Sequence, residues 1–208
     1  MGLFVLAAIG CASTRMTSMA APDAHLAGRH FKRIMVLVSL HDLATRKEAE
    51  DQFVKDVPAP KAVVDSSNHM HMKFAGYEFV PSYTILFPGS DYTSAQMDSA
   101  LRADSIDAVL IVAQNQSGVV TTTGPSSYST QCTPGLYSAT CVTKESPGVT
   151  TSKPWASYEA HLYDAANGKV IWYATSTTGG SAFSSWNAVV HSMADKTVEK
   201  LKSDGIIQ

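Results

Sequence analysis

The clearest pattern of hydrophobic and polar positions lies in the last fifty residues of the chain. Alternating side chains predict a strand over Ala156–Ala165, and a β-branched and aromatic run predicts a second strand over Val170–Thr178. Asn167-Gly168 between them predicts a tight hairpin turn, because both residue types tolerate a positive φ. Apolar residues at three- and four-residue spacing then predict a helix over Ser184–Ser203, with one stripe buried against the hairpin.

Four further strands are predicted upstream. The continuous apolar run Ile34–Val38 is typical of a central strand that is covered on both faces. Shorter runs predict strands from Ala62 to Asp65 and over Tyr83–Phe87. A second strongly apolar strand begins at Ile106 and extends as far as Thr122. These strands alternate with helices along the chain.

Two helices are predicted between these strands. The first spans Leu43–Val54, with Asp42 placed to cap its unpaired amide groups, and the second opens near Asp91–Ser94. Two i,i+4 ion pairs of the first helix indicate a solvated face: Arg46–Glu50 and Lys47–Asp51.

The order of elements predicts a single α/β domain of the mixed α+β kind. Its mixed sheet would carry an antiparallel C-terminal hairpin, with helices packed on it. A length of 208 residues fits one domain with a sizeable core. Residues 124–154 are rich in Gly, Ser, Thr and Pro and predict a long loop within the domain.

The N-terminus resembles a bacterial lipoprotein signal peptide. Residues 1–10 form a short apolar run that ends in small residues just before Cys11. We therefore expect residues 1–10 to be a signal-peptide remnant and the Cys11 thiol to carry lipid. Residues 11–31 would be the lipidated cysteine and a flexible tether, and residues 32–208 would form the envelope domain.

Cysteine usage and charge fit an exported protein. Cys132 and Cys141 form an even pair in a segment rich in Ser and Thr, which predicts a disulfide. A net charge of −2 gives no reason to expect a nucleic-acid partner.

Three segments together resemble a known group of proteins. They are the strand Ile34–Val38, the run Asp107–Val112, and the hairpin Leu162-Tyr163-Asp164…Gly168-Lys169-Val170-Ile171-Trp172 before a long helix. This combination is similar to small bacterial envelope lipoproteins of the LpoB, CsgG and TolB N-terminal-domain group. The resemblance implies a non-enzymatic binding or assembly module, tethered to the outer membrane and facing the periplasm, with no cofactor.

Two other functions remain open from the residues alone. A periplasmic enzyme acting on cell-wall material would use Ser181 with His161 or His191, although no Gly-x-Ser-x-Gly motif is present. A metal-binding lipoprotein would use His69 and His71, whose spacing places both imidazoles on one side of a strand.

The leading hypothesis is an outer-membrane lipoprotein that binds an envelope partner. Its contacts would be the lipid bilayer, through the anchor, and a protein, through aromatic residues set among Ser, Thr and Gly. The aromatic candidates are Tyr128, Tyr137, Trp155 and Tyr158. Asp164 is expected to play a structural part by accepting hydrogen bonds from the hairpin turn.

Overall fold

A computed structural model describes residues 11–22, 31–40, 42–57, 61–64, 70–73, 76–134, 139–182 and 184–208. They form a mixed α+β domain, as the element order predicts. The strands are β1 Ala12–Ala20, β2 Arg33–Ser39, β3 Lys61–Val64, β4 Met70–Lys73, β5 Glu78–Pro81, β6 Ala108–Thr123, β7 Ser127–Pro134, β8 Ala139–Ser146, β9 Thr150–Asp164 and β10 Val170–Gly180. The helices are α1 Leu43–Lys55, α2 Ser94–Ala103 and α3 Trp186–Ser203.

A six-stranded sheet in the order β1-β10-β9-β6-β2-β5 is the centre of the domain. Strands β2, β5 and β6 are parallel, whereas β6, β9, β10 and β1 follow one another in antiparallel pairs. Strands β3 and β4 form a small ribbon of their own, as do β7 and β8.

The main core lies between one face of this sheet and helices α1 and α3. Every second residue of the strands points into it, including Leu110, Leu162 and Trp172, because side chains alternate along a strand. A smaller cluster lies on the opposite face, where Leu101 of α2 packs near Met35 of β2. Helix α2 therefore covers only the β2 side of that second face.

The C-terminal hairpin and helix are confirmed, but the turn differs from the prediction. Residues 165–169 form a five-residue loop, and of the Asn167-Gly168 pair only Gly168 has a positive φ, at 68°. The Asp164 carboxylate organises this loop by accepting from the Ala166 amide and the Asn167 side chain, both at 2.9 Å. The structural part expected of Asp164 is therefore confirmed.

The segment before α2 differs from the prediction as well. The strand expected over Tyr83–Phe87 is wrong: a 3-10 turn spans Ser82–Thr84, and the strand is β5, just upstream. The first helix begins as expected, because the Asp42 carboxylate accepts from the Thr45 amide at 2.7 Å.

The flexible tether predicted for residues 11–31 is wrong over residues 12–20. These residues form β1, paired in register with β10 from Ala12 opposite Gly180 onward. Polar side chains of β1 explain the docking: Thr14 Oγ1 lies 2.8 Å from Ser192 Oγ, and Ser18 Oγ donates to Asp204 at 2.5 Å. Residues 12–20 therefore belong to the folded domain, which the sequence predicted to begin at residue 32.

The long loop predicted over residues 124–154 is also wrong. Strands β6 and β9 continue past the ends of their neighbours in the six-stranded sheet and pair as far as Thr123 opposite Thr150, and β7 and β8 pair as far as Pro134 opposite Ala139. We call residues 118–155 the arm. Its described side chains are mostly exposed, because Thr and Ser occupy both faces of the ribbon and no described helix covers it. No described helix is both long and apolar enough to cross a bilayer.

Candidate binding surface

The second face of the sheet is left open over β6, β9, β10 and β1. Helix α3 packs on β1, β9 and β10 from the core side, and no helix of the described chain covers their other side. The strand register places Ile111, His161, Tyr173 and Met19 in one row across four strands of this open face. Met19 is 74% exposed and Tyr173 is 36% exposed, so both are available for contact.

A polar and aromatic cluster occupies the centre of the open face. His161 Nε2 lies 3.2 Å from Glu159 Oε1, and the Asn115 amide donates to Glu159 Oε2 at 3.4 Å. The His161 ring meets the edge of the Tyr173 ring at a centroid distance of 4.8 Å, and it is stacked with Tyr163 at 6.1 Å. The Glu159 carboxylate thus lies beside His161, and the His161 ring contacts both Tyr163 and Tyr173 on this face.

Hydrogen bonds keep Glu159 ionised. The Tyr173 hydroxyl, followed by the Asn115 amide, holds the pKa of Glu159 below its ordinary value. The same contact with the carboxylate raises the pKa of the Tyr173 phenol. The cluster therefore places a carboxylate, with its ionised form favoured, beside aromatic rings.

A shallow groove of about 300 Å³ continues the open face towards the arm. Its exposed and half-buried lining is rich in hydroxyl groups and contains one guanidinium: Arg15, Thr17, Asn115, Ser157, Thr175 and Thr177. None of the ion pairs among the described residues includes Arg15. The open face therefore combines an aromatic part with a polar part that carries a cation.

The aromatic residues expected to bind a partner do not form one surface. Tyr128 is 69% exposed on the arm, where its hydroxyl donates to Glu145. Trp155 lies at the base of the arm beside Gly118, at a position where a Cβ on Gly118 would come within 2.9 Å of the indole nitrogen. Tyr158 is only 2% exposed, and burial raises its pKa to about 12, although it belongs to the lining of the shallow groove, so its contact role stays a prediction. Tyr137 lies outside the described residues.

The structure does not bring the candidate catalytic residues together. His161 lies on the open face, while His191 lies on α3, where its Nε2 is 3.0 Å from Glu48 of α1. Ser181 follows β10, eight residues beyond the register partner of His161, which corresponds to roughly 26 Å along a strand. Ser181 instead contacts Ser184, consistent with a place before the helix.

The proposed metal and disulfide residues are only partly described. His69 and the side chain of His71 lie outside the described residues, so the metal site stays a prediction. No group of three or more potential ligands is present in the parts of the chain that the structure covers. The backbone register places Cys132 directly opposite Cys141 in the arm, and their disulfide also stays a prediction.

Comparisons with known proteins find likeness only among solved structures. No protein-family model and no curated protein matches the chain. The chain is similar to PelC from Paraburkholderia phytofirmans, described as a dodecamer, with 16% identity, a TM-score of 0.46, and coverage of 92% of this chain and 97% of that one. It is also similar to lipoprotein GNA1162 from Neisseria meningitidis, with 14% identity, a TM-score of 0.37, and coverage of 83% and 99% respectively. At these TM-scores the likeness carries no argument about function.

Sequence reasoning missed the open face, although a signal for it was present. Glu159, His161 and Tyr163 occupy alternate positions of β9 and so must share one face. The alternation alone does not tell which face the helices leave uncovered, and that depends on how α1 and α3 pack.

Proposed function

We propose that this chain is an outer-membrane lipoprotein that faces the periplasm and binds or helps to assemble an envelope partner. The observation that carries the proposal is the open face with its aromatic cluster of half-buried His161 and Tyr163 and exposed Tyr173. Tyrosine rings that are accessible at a surface are enriched at protein contact sites. The proposed anchor is Cys11, which is exposed at the start of β1.

The position of Cys11 indicates how an anchored chain would be oriented at the membrane. Cys11 lies beside Ser181 at the end of the sheet where β6 and β9 leave it to form the arm. A chain anchored through Cys11 would therefore hold the arm on its membrane side, and the open face would stand next to it. Both surfaces would be presented to partners at the membrane.

Two experiments test the anchor and the surface separately. Palmitate labelling of the chain, expressed with its complete leader, is expected to occur in the native protein and to be lost in Cys11→Ser. A photo-crosslinking amino acid at Tyr173 is expected to capture one discrete envelope protein in cells. The same amino acid at Lys47, whose side chain is 56% exposed on α1 at the other side of the sheet, is the matched control and should not capture it. Equal labelling of both forms would refute the anchor, and equal capture at both positions, or none at Tyr173, would refute the surface.

A further inference from the structure

The outer edge of β1 presents backbone groups that no described strand uses. Two hydrogen bonds fix the pattern, since Ser181 N donates to Cys11 O and Ala21 N donates to Ile171 O. Odd-numbered residues of β1 therefore point their amide and carbonyl groups at β10, because these groups alternate in direction along an antiparallel strand. The even-numbered residues point theirs away from the sheet: Ala12, Thr14, Met16, Ser18 and Ala20.

This edge lacks the usual protection against strand pairing. Natural edge strands are commonly short, or they carry proline or charged side chains that discourage pairing. The opposite edge of the sheet fits that rule, because β5 has four residues and ends at Pro81. Strand β1 has nine residues without proline, and Arg15 is its one charged residue.

Helix α3 forms a wall beside the same edge. A groove of about 400 Å³ lies between β1 and α3, lined by Ala12 and Thr14 on the strand and by Ala188, His191, Ser192, Asp195, Lys196 and Glu199 on the helix. The contact between the Thr14 and Ser192 hydroxyl groups joins the strand to the helix at this groove. A strand added next to β1 would lie about 4.8 Å away, so half of its side chains would face this groove and half would face the Arg15 side.

We propose that β1 and α3 form a strand-addition site for an extended segment of another envelope protein. This inference rests on the proposed partner-binding function and names the class of partner. The segment would pair along as many as nine residues of β1. Towards α3 it would carry a basic side chain, because Lys196 is already paired with Glu199 at 2.6 Å. The second carboxylate of the groove, Asp195, accepts from the neutral Gln52 amide at 2.9 Å and contacts the Asp56 carboxyl, so none of these contacts supplies it with a cation. On the other face the segment would carry an acidic side chain opposite Arg15.

A second copy of the chain fits this edge less well. Two β1 strands paired antiparallel across a two-fold axis would place their Cys11 residues at opposite ends, roughly 30 Å apart. Both anchors would reach one membrane only if the sheet lay flat on it, and not with the arm on the membrane side as proposed above. Pairing of β1 with β5 of another copy would use only four residues, and Pro81 has no amide to donate.

Amide hydrogen exchange of the purified full-length chain is the first test. We expect the amides of Arg15, Thr17 and Met19 to be protected by β10, and those of Met16 and Ser18 to exchange rapidly. Selection from a displayed library of random twelve-residue peptides then supplies the probe. A selected peptide is expected to protect the Met16 and Ser18 amides when it binds.

Two variants at one position separate backbone pairing from side-chain packing. Met16→Pro removes an outward amide, whereas Met16→Ala removes the side chain and keeps that amide. We expect peptide affinity to fall at least ten-fold in Met16→Pro and less than three-fold in Met16→Ala. Arg15→Glu should change the selected peptides from acidic to basic at the position facing it.

Several results would overturn the proposal. These are equal affinity for Met16→Pro and Met16→Ala, selection of no peptide, protection of the Met16 and Ser18 amides in the isolated monomer, and dimerisation through β1 that Met16→Pro abolishes. None of these measurements depends on Cys11 or on capture at Tyr173. Failure of this inference is therefore distinguishable from failure of the proposed function.

Discussion

Glu50 is expected to be among the costliest polar residues of this chain to replace. It is fully buried on α1, although an i,i+4 spacing with Arg46 predicted a solvated pair. Its carboxylate accepts from Val38 N at 3.1 Å, from Arg46 Nε at 3.0 Å and from Ser82 Oγ at 2.8 Å. The carboxylate thereby joins α1 to the end of β2 and to the turn after β5.

The size of the effect follows from what Glu50→Ala leaves behind. The change removes the carboxylate partner of a guanidinium that is only 20% exposed and the acceptor of the buried amide of Val38. The buried hydroxyl of Ser82 also loses its acceptor and keeps only its contact with Arg46 Nη2 at 2.9 Å. Breaking a buried ion pair by removing one partner costs about 3–5 kcal/mol. In a domain of this size that loss corresponds to a fall in Tm of roughly 6–20 °C.

Urea unfolding followed by circular dichroism measures this cost. Lys47→Ala is the matched control, because Lys47 and Asp51 form a pair of the same spacing on the same helix, with the Lys47 side chain 56% exposed. Such exposed pairs contribute about 0.3–0.5 kcal/mol. A loss below about 1 kcal/mol for Glu50→Ala, or one no larger than that of Lys47→Ala, would refute the reasoning. The double variant with Arg46→Ala should lose less than the sum of the two single variants, because neither charge is left alone.

Three further predictions concern the arm and the α1–α3 contact. Thiol titration of the exported protein should find Cys132 and Cys141 unreactive, and two reactive thiols would contradict the disulfide. Reduction should expose the arm to protease while the circular dichroism spectrum stays near native. Gly118→Ala should shift the fluorescence of the tryptophan at the base of the arm, since the added Cβ would lie 2.9 Å from the indole nitrogen; an unchanged spectrum would contradict it. Burial and then Asp195 raise the pKa of Asp56 to about 6. The folded pKa of Asp56 exceeds its unfolded value, so its contribution to stability is present below about pH 4 and is lost as the pH rises through about 6. Asp56→Asn should therefore raise the Tm near pH 7.5 and change the Tm little near pH 4.

The sequence predicts the elements of this fold that are built from local pattern. The stripe of α3 is buried as expected, and Gly205 follows the helix with a φ of 72°, a left-handed conformation that favours glycine. In the first turn of the helix Trp186 is still 41% exposed. Local spacing was sufficient here because one helix packs on one hairpin.

The sequence does not predict features that depend on distant partners. The β1 segment has no strong hydrophobic pattern, and its place in the sheet depends on pairing with β10. It depends also on Thr14 and Ser18, which find hydroxyl and carboxylate partners on α3 and just beyond its end. The arm was missed for a similar reason, since its Ser, Thr and Gly content is also typical of loops. The burial of Glu50 depends on Ser82, which is thirty-two residues away.

The absence of slack between Cys11 and β1 has a consequence for how an anchored chain would move. A flexible tether of twenty residues has a root-mean-square length of about 25 Å, so a domain on such a tether could move that far from its lipid and rotate freely. Here residue 12 already belongs to the ladder with β10, so a lipid on Cys11 would restrict the tilt and rotation of the whole sheet. Such a chain would meet only those partners that diffuse to it in one orientation along the membrane.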